Sequence, residues 1–261
     1  AVIGAINGVA PVAAPVIGGL LTGSVGWQGI FMILLFIGIL LGIGCIRFKE
    51  SLPAEKRSKT GVWATFRSFG IIVHNRRYML YVFQLAFAQG ILFAYIASSP
   101  FIIQQHYGFS PFAFSICFAV NAVAIGVAAA LSVKFRRTEN GTLTGCVGML
   151  VFAVLQMAAL YSGCGFWTYE LLMFALLFMM GLTFTASTTL AMDCERRYAG
   201  AASALLGALC FASGGIVSPL VGLGDILIST GVTFVICAVC SLLCALWAVK
   251  RTGPKVALCR I

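Results

Sequence analysis

The chain has 261 residues, of which 61% are apolar and 9% charged. A soluble globular domain carries about 25% charged residues, so this composition excludes one, and it equally excludes a disordered chain and a short secreted disulfide scaffold. The formal net charge of +10 would point to nucleic acid in a soluble protein; here placement of the basic residues decides its meaning, and no nucleic-acid partner is expected.

A hydrocarbon core of about 30 Å needs roughly 20 apolar residues in a helix. Eight uncharged runs meet that length: Ile3–Leu21, Gly29–Ile46, Tyr78–Ala97, Phe112–Val133, Leu143–Ser162, Leu171–Met192, Ala199–Val221 and Leu227–Val249. They are continuously apolar, without the alternation of a barrel strand. The expected fold is therefore an all-α polytopic membrane protein with eight transmembrane helices.

The first run starts abruptly. Ala1 follows no initiator Met and no basic n-region, so it is not a signal peptide; it reads as the inside of a helix, and the expectation is a fragment whose upstream helices are absent. Gly4, Gly8, Pro11, Pro15, Gly18 and Gly19 give this run a surface of small residues and prolines, which either packs closely on a neighbour or bends at a gate. The second run is led by Phe31. Residues 47–77 then form a charged linker, within which Trp63, Phe66, Phe69 and Val73 recur at helical spacing beside Lys59, Arg67 and Arg76. An amphipathic helix is expected there, lying on the headgroup layer or packed on protein.

In the third and fourth runs Gln84, Gln89, Tyr95 and Asn121 are polar at membrane depth and must find partners or face a wet cavity. They are candidates for the substrate cavity, with interhelical hydrogen bonding the open alternative for Gln84, Gln89 and Asn121. The fifth run holds Gln156. The sixth holds Thr183, Thr185, Ser187, Thr188 and Thr189, hydroxyls that commonly bond their own helix carbonyls. The seventh repeats the first, with Ser218-Pro219-Leu220-Val221-Gly222 echoing Ala14-Pro15-Val16-Ile17-Gly18-Gly19, as internal repeats of transporters do. In the eighth, Cys237, Cys240 and Cys244 share a face as small hydrophobes; no metal and no cofactor are expected. His74 and His106 read as solvated loop residues.

All 17 basic and 7 acidic residues lie outside these runs. Every Lys and Arg falls in 47–77, in 134–137, at Arg196 and Arg197, or from Lys250 onward; the alternate connections 22–28, 98–111, 163–170 and 222–226 have none. By the positive-inside rule the basic connections are cytoplasmic, as are both chain ends. The Asn140-Gly141-Thr142 sequon then falls on the side where glycosylation does not occur. The organisation expected is residues 1–46 as the last two helices of an N-terminal bundle, 47–77 as a cytoplasmic linker, 78–249 as a C-terminal six-helix bundle, and 250–261 as a cytoplasmic tail. A proton-driven carrier needs a titratable group at depth. None lies inside the eight runs, since Glu170 and Asp193 stand at their ends, so the coupling carboxylate is expected upstream of Ala1.

Phe93-Ala94-Tyr95-Ile96-Ala97-Ser98-Ser99-Pro100-Phe101, with Tyr107-Gly108-Phe109-Ser110-Pro111 and Phe118-Ala119-Val120-Asn121-Ala122, resembles the Bcr/CflA drug-resistance group of the major facilitator superfamily. Ala199–Ala208 resembles that group's eleventh helix. Ala14-Pro15-Val16-Ile17-Gly18-Gly19 resembles the antiporter motif of its fifth, with Ala14 where the motif has glycine. The resemblance implies twelve helices in two bundles, alternating access, and proton-linked multidrug efflux across the bacterial inner membrane, with antibiotic resistance as the outcome. Bicyclomycin, chloramphenicol-type drugs and sulfonamides are the typical substrates. It assigns Ala14, Pro15, Gly18 and Gly19 to the antiporter motif, and Ser98, Ser99, Pro100 and Phe101 to an outer gate. The partners implied are a drug-like small molecule, the proton as coupling ion and membrane lipids, with the protein a monomer. The chain is not expected to be an enzyme, because no nucleophile–base pair or carboxylate pair occurs at depth. A carrier for another solute, a membrane-embedded enzyme and a channel are the alternatives.

Overall fold

The apolar runs emerge as long helices in a computed structural model, which describes residues 2–47 and 69–250, leaving aside the side chains of 2–16 and 22. The helices are α1 (Val2–Arg47), α2 (Arg76–Pro100), α3 (Pro111–Ser132), α4 (Thr138–Tyr161), α5 (Phe166–Cys194), α6 (Ala199–Val221) and α7 (Ile226–Lys250). Seven spans among the described residues are long and apolar enough to cross a membrane, the first being Gly23–Arg47.

The first two expected spans run within one helical element. Its dihedral angles break at Gly26, with φ 64° and ψ −179°, inside the connection expected at 22–28. A side chain is strained at such a φ, so glycine is the residue that lets the chain change direction there. The stretch beyond Gly26 is exposed along its length and meets no other described helix with its apolar face. Before the break, α1 packs on α3, where a β-carbon on Gly19 would collide with the Ser115 hydroxyl.

The remaining six helices form one bundle. Helix α5 packs against α4, α3 and α2; α2 also packs against α7 and α6, and α4 against α7. The cores read as facing stripes. On α3, Ser115, Ala119, Asn121, Ala124 and Ala128 are buried, while Ile116, Val120, Val123 and Val127 are exposed as a lipid face must be. Local signals set the ends: Asn75 caps α2 through bonds from the Arg77 and Tyr78 amides, and Ser110 caps α3 ahead of Pro111. Past Pro100, α2 continues as a π-helical turn, Phe101–His106.

Two glycines bring the bundle's backbones together. A β-carbon on Gly181 of α5 would lie 2.5 Å from the Ile125 carbonyl of α3, and one on Gly145 of α4 would lie 2.7 Å from the Met179 carbonyl of α5. Small residues at such contacts are how membrane helices gain packing. The linker expected at 47–77, with its helix over 63–73, falls largely outside the described residues. Residues 69–74 are helical, and Ile72 is fully buried in a cluster with Tyr78, Tyr81 and Leu190, so this part packs on protein.

Candidate functional site

Asn121 sits at the middle of α3, fully buried, and its amide nitrogen joins three helices. Nδ2 donates to the Tyr95 hydroxyl of α2 at 3.1 Å and to Glu170 Oε1 of α5 at 2.8 Å. Tyr95 is held from the other side by Phe118, stacked with ring centroids 5.3 Å apart. Helix α5 starts at Phe166, not at Leu171 as the apolar run implied, so Glu170 belongs to the helix and not to the connection before it. Glu170 thus stands near the start of the span, as expected, but inside the helix and in reach of α3. Its Oε2 is buried and meets no partner, as is Oδ1 of Asn121. The neighbouring Tyr169 is fully buried with its hydroxyl unpaired. Such groups are rare in an apolar interior and call for water, a ligand or a proton.

The other sequence candidates scatter. Gln84 is buried elsewhere on α2, where Nε2 donates to Ser241 Oγ of α7 at 3.1 Å and to Cys146 Sγ of α4 at 3.4 Å. Ser241 Oγ donates back to the Gln84 carbonyl at 3.2 Å. Gln89 is half-buried and outside both networks. Ser98 and Ser99 are fully buried near the end of α2, and Pro100 closes that helix. Phe101 is half-exposed and lines a recess of about 530 Å³ with Gln105, His106, Gly222, Gly224 and Ile226. This recess lies at the bundle end opposite the basic residues. Of the Ala14, Pro15, Gly18 and Gly19 motif, Ala14 and Pro15 fall outside the described side chains, and Gly19 meets Ser115.

Beyond α2, Tyr107 donates to the Cys164 carbonyl at 2.9 Å and packs its ring on Tyr169. Burial, then the Cys164 thiol, pushes the Tyr107 phenol above the usual tyrosine value, so it keeps its proton and the bond. The hydroxyls of α5 divide. Thr183, Thr188 and Thr189 bond carbonyls of their own helix, while Ser187 pairs with Thr142 of α4 at 3.1 Å. Sequence reasoning missed Glu170; the aromatic stretch Phe166-Trp167-Thr168-Tyr169 before it was the available signal that the helix begins earlier.

A bundle of long apolar helices, with a buried amide and phenol bonded to a part-buried carboxylate near one end of α5, is the architecture of a polytopic membrane protein. The Major Facilitator Superfamily profile matches residues 1–219, and the chain belongs to that family. It is 37% identical over 227 residues to an uncharacterized MFS-type transporter, YdgK, of Bacillus subtilis, covering 84% of this chain and 56% of that protein. It is 28% identical over 227 residues to a bicyclomycin resistance protein homolog of Haemophilus influenzae, covering 82% of this chain and 54% of the relative. A shorter match, 26% over 104 residues, covers 40% of this chain and 25% of the multidrug transporter MdfA of Edwardsiella ictaluri. The chain thus spans about half the length of the first two curated relatives.

Proposed function

We propose that this chain forms part of a Bcr/CflA-type carrier that exports drug-like, amphipathic small molecules from a bacterial cell by alternating access, driven by protons. The observation that carries the reading is the Tyr95–Asn121–Glu170 cluster, where polar groups with open valences join three apolar helices. A carrier needs such uncommitted groups, because a bound solute must find polar contacts that packing alone does not supply. The relatives named for bicyclomycin resistance and multidrug transport support drugs as the substrate class.

In this reading the basic connections face the cytoplasm of a monomeric inner-membrane protein, with both ends of the chain inside. Residues 78–249 are the C-terminal bundle, 1–46 the last helices of the bundle before it, 47–77 the cytoplasmic linker and 250–261 the tail. Tyr95 and Asn121 line the substrate path, Ser98 to Phe101 shape its outer mouth beside the recess, and the α1–α3 contact at Gly19 is a sliding surface between bundles. Gln84 stands outside that path as an interhelical contact, and the half-buried Gln89 remains a candidate for it.

The test is accumulation of bicyclomycin in cells expressing the full carrier, with and without a protonophore. Lower accumulation than in cells without the carrier, abolished by the protonophore, is the expected result. Efflux that persists in its presence removes the proton drive, and equal accumulation in both cell types removes export of this drug.

A further inference from the structure

We propose that Glu170 is a proton-binding site of this bundle, protonated while the helices close around it and ionised when they open to water. The proposal rests on the export reading above and adds the group that carries the charge.

Glu170 is the one carboxylate among the described residues with a buried oxygen that meets no partner. Around it stand the Tyr95 phenol from α2, the Cys117 thiol from α3 and the Tyr169 phenol from α5 itself, all neutral at physiological pH. The amide of Asn121 carries no charge either. The ion pair found among the described residues, Arg196 with Asp193, lies at the other end of α5. An ionised carboxylate held here would have the single hydrogen bond from Asn121, and no Lys or Arg among the described residues is paired with it.

The geometry also selects the ligand. Oε1 is turned toward an N–H donor, whose hydrogen is directed where a metal ion would have to sit. Bound cations of the hard type need several converging oxygens, usually more than one carboxylate, and the described residues hold no group of three or more His, Cys, Asp or Glu side chains that could share a metal ion. A proton is the ligand that fits: taken from hydronium it forms the Oε2–H bond and leaves water, and its release reverses the step. Since Asn121 ties Oε1 to α3 and, through the same nitrogen, to the Tyr95 hydroxyl of α2, the charge on Glu170 acts on the contact of α2, α3 and α5.

The test uses the full carrier in two assays. Everted membrane vesicles are given an imposed pH gradient with ethidium as the transported probe, and the purified protein in liposomes is followed by infrared difference spectroscopy across pH. Expected for Glu170→Gln is loss of gradient-driven ethidium uptake to the level of vesicles lacking the carrier, together with loss of one titrating carboxylic-acid carbonyl band. Glu170→Asp retains uptake above that level and moves the band; it serves also if the glutamine variant fails to reach the membrane. Wild-type uptake in Glu170→Gln, or an unchanged band, overturns the proposal and leaves the export reading intact. If the wild type moves no ethidium, export of that probe fails, and the infrared band alone decides: its disappearance in Glu170→Gln upholds the proton site, its persistence overturns it.

Discussion

Two buried amides hold this bundle together in the same way and to different ends. Gln84 and Asn121 each direct both amide hydrogens to other helices and leave the amide oxygen without a partner. Gln84 meets a hydroxyl and a thiol, groups that stay neutral, and Ser241 returns a bond to the Gln84 carbonyl, closing the cluster. Asn121 meets a phenol and a carboxylate whose second oxygen stays open. An amide among neutral groups is glue between α2, α4 and α7. The same chemistry beside an uncompensated carboxylate is a place where charge can change, and that difference separates scaffold from site.

The largest break in this comparison comes from Gly181→Leu. The new side chain meets the Ile125 carbonyl at 2.5 Å and the Ala128 β-carbon at 2.8 Å, forcing α5 away from α3 and Glu170 away from Asn121. Overpacking against backbone costs about 3 kcal/mol, read as a lower unfolding midpoint in detergent, with transport lost. The hydrogen bonds of the Gln84 cluster involve neither α3 nor α5, so they are expected to survive, with Cys146 slower to react with thiol reagents than the exposed Cys45 when labelling is mapped by mass spectrometry. Cys146 labelled as fast as Cys45 in this variant would mean that the two clusters are one cooperative unit.

Asn121→Leu is the sharper and smaller cut. It removes the one hydrogen-bond donor found for the Glu170 carboxyl among the described residues, and the bond to the Tyr95 hydroxyl, at a cost of about 1–2 kcal/mol. The protein should still insert and unfold cooperatively, while drug accumulation in cells rises to that of cells without the carrier. Near-wild-type efflux would demote Asn121 to packing.

The helices were legible because each apolar run is long enough to span and the basic residues punctuate them; the Gly26 break fell within the short connection between the first two runs. Asn121 and Tyr95 stood out as polar residues within such runs. What they bond was not legible, because the partners come from elsewhere in the chain: Glu170 lies 49 residues from Asn121, and Ser241 lies 157 from Gln84. Glu170 itself was hidden by its own charge, which ends an apolar run even when the helix continues around it. A hydropathy reading treats every carboxylate as solvent-facing, and only the packing of α3 on α5 shows where this one points.

Gln84→Leu tests the other half of the comparison. The substitution loses two interhelical bonds but also removes the buried, unpaired Oε1, and side-chain hydrogen bonds between membrane helices average about 0.6 kcal/mol. A midpoint shift of that size with unchanged drug efflux is expected, and abolished efflux in a stable variant would move Gln84 into the transport path.

The smallest effect belongs to Thr189→Val. Thr189 is exposed, and its hydroxyl bonds the Thr185 carbonyl at 2.9 Å, within its own turn. That carbonyl retains the bond the helix itself provides, and valine is close to threonine in volume. Stability should change by less than about 0.5 kcal/mol. Ser187→Ala, two residues away in sequence but facing α4, cuts the bond to Thr142 and should cost about 0.6 kcal/mol. Measured side by side in one detergent, the pair separates a hydroxyl that serves its own helix from one that joins two, and equal shifts would mean that the α4–α5 contact gains nothing from the bridge.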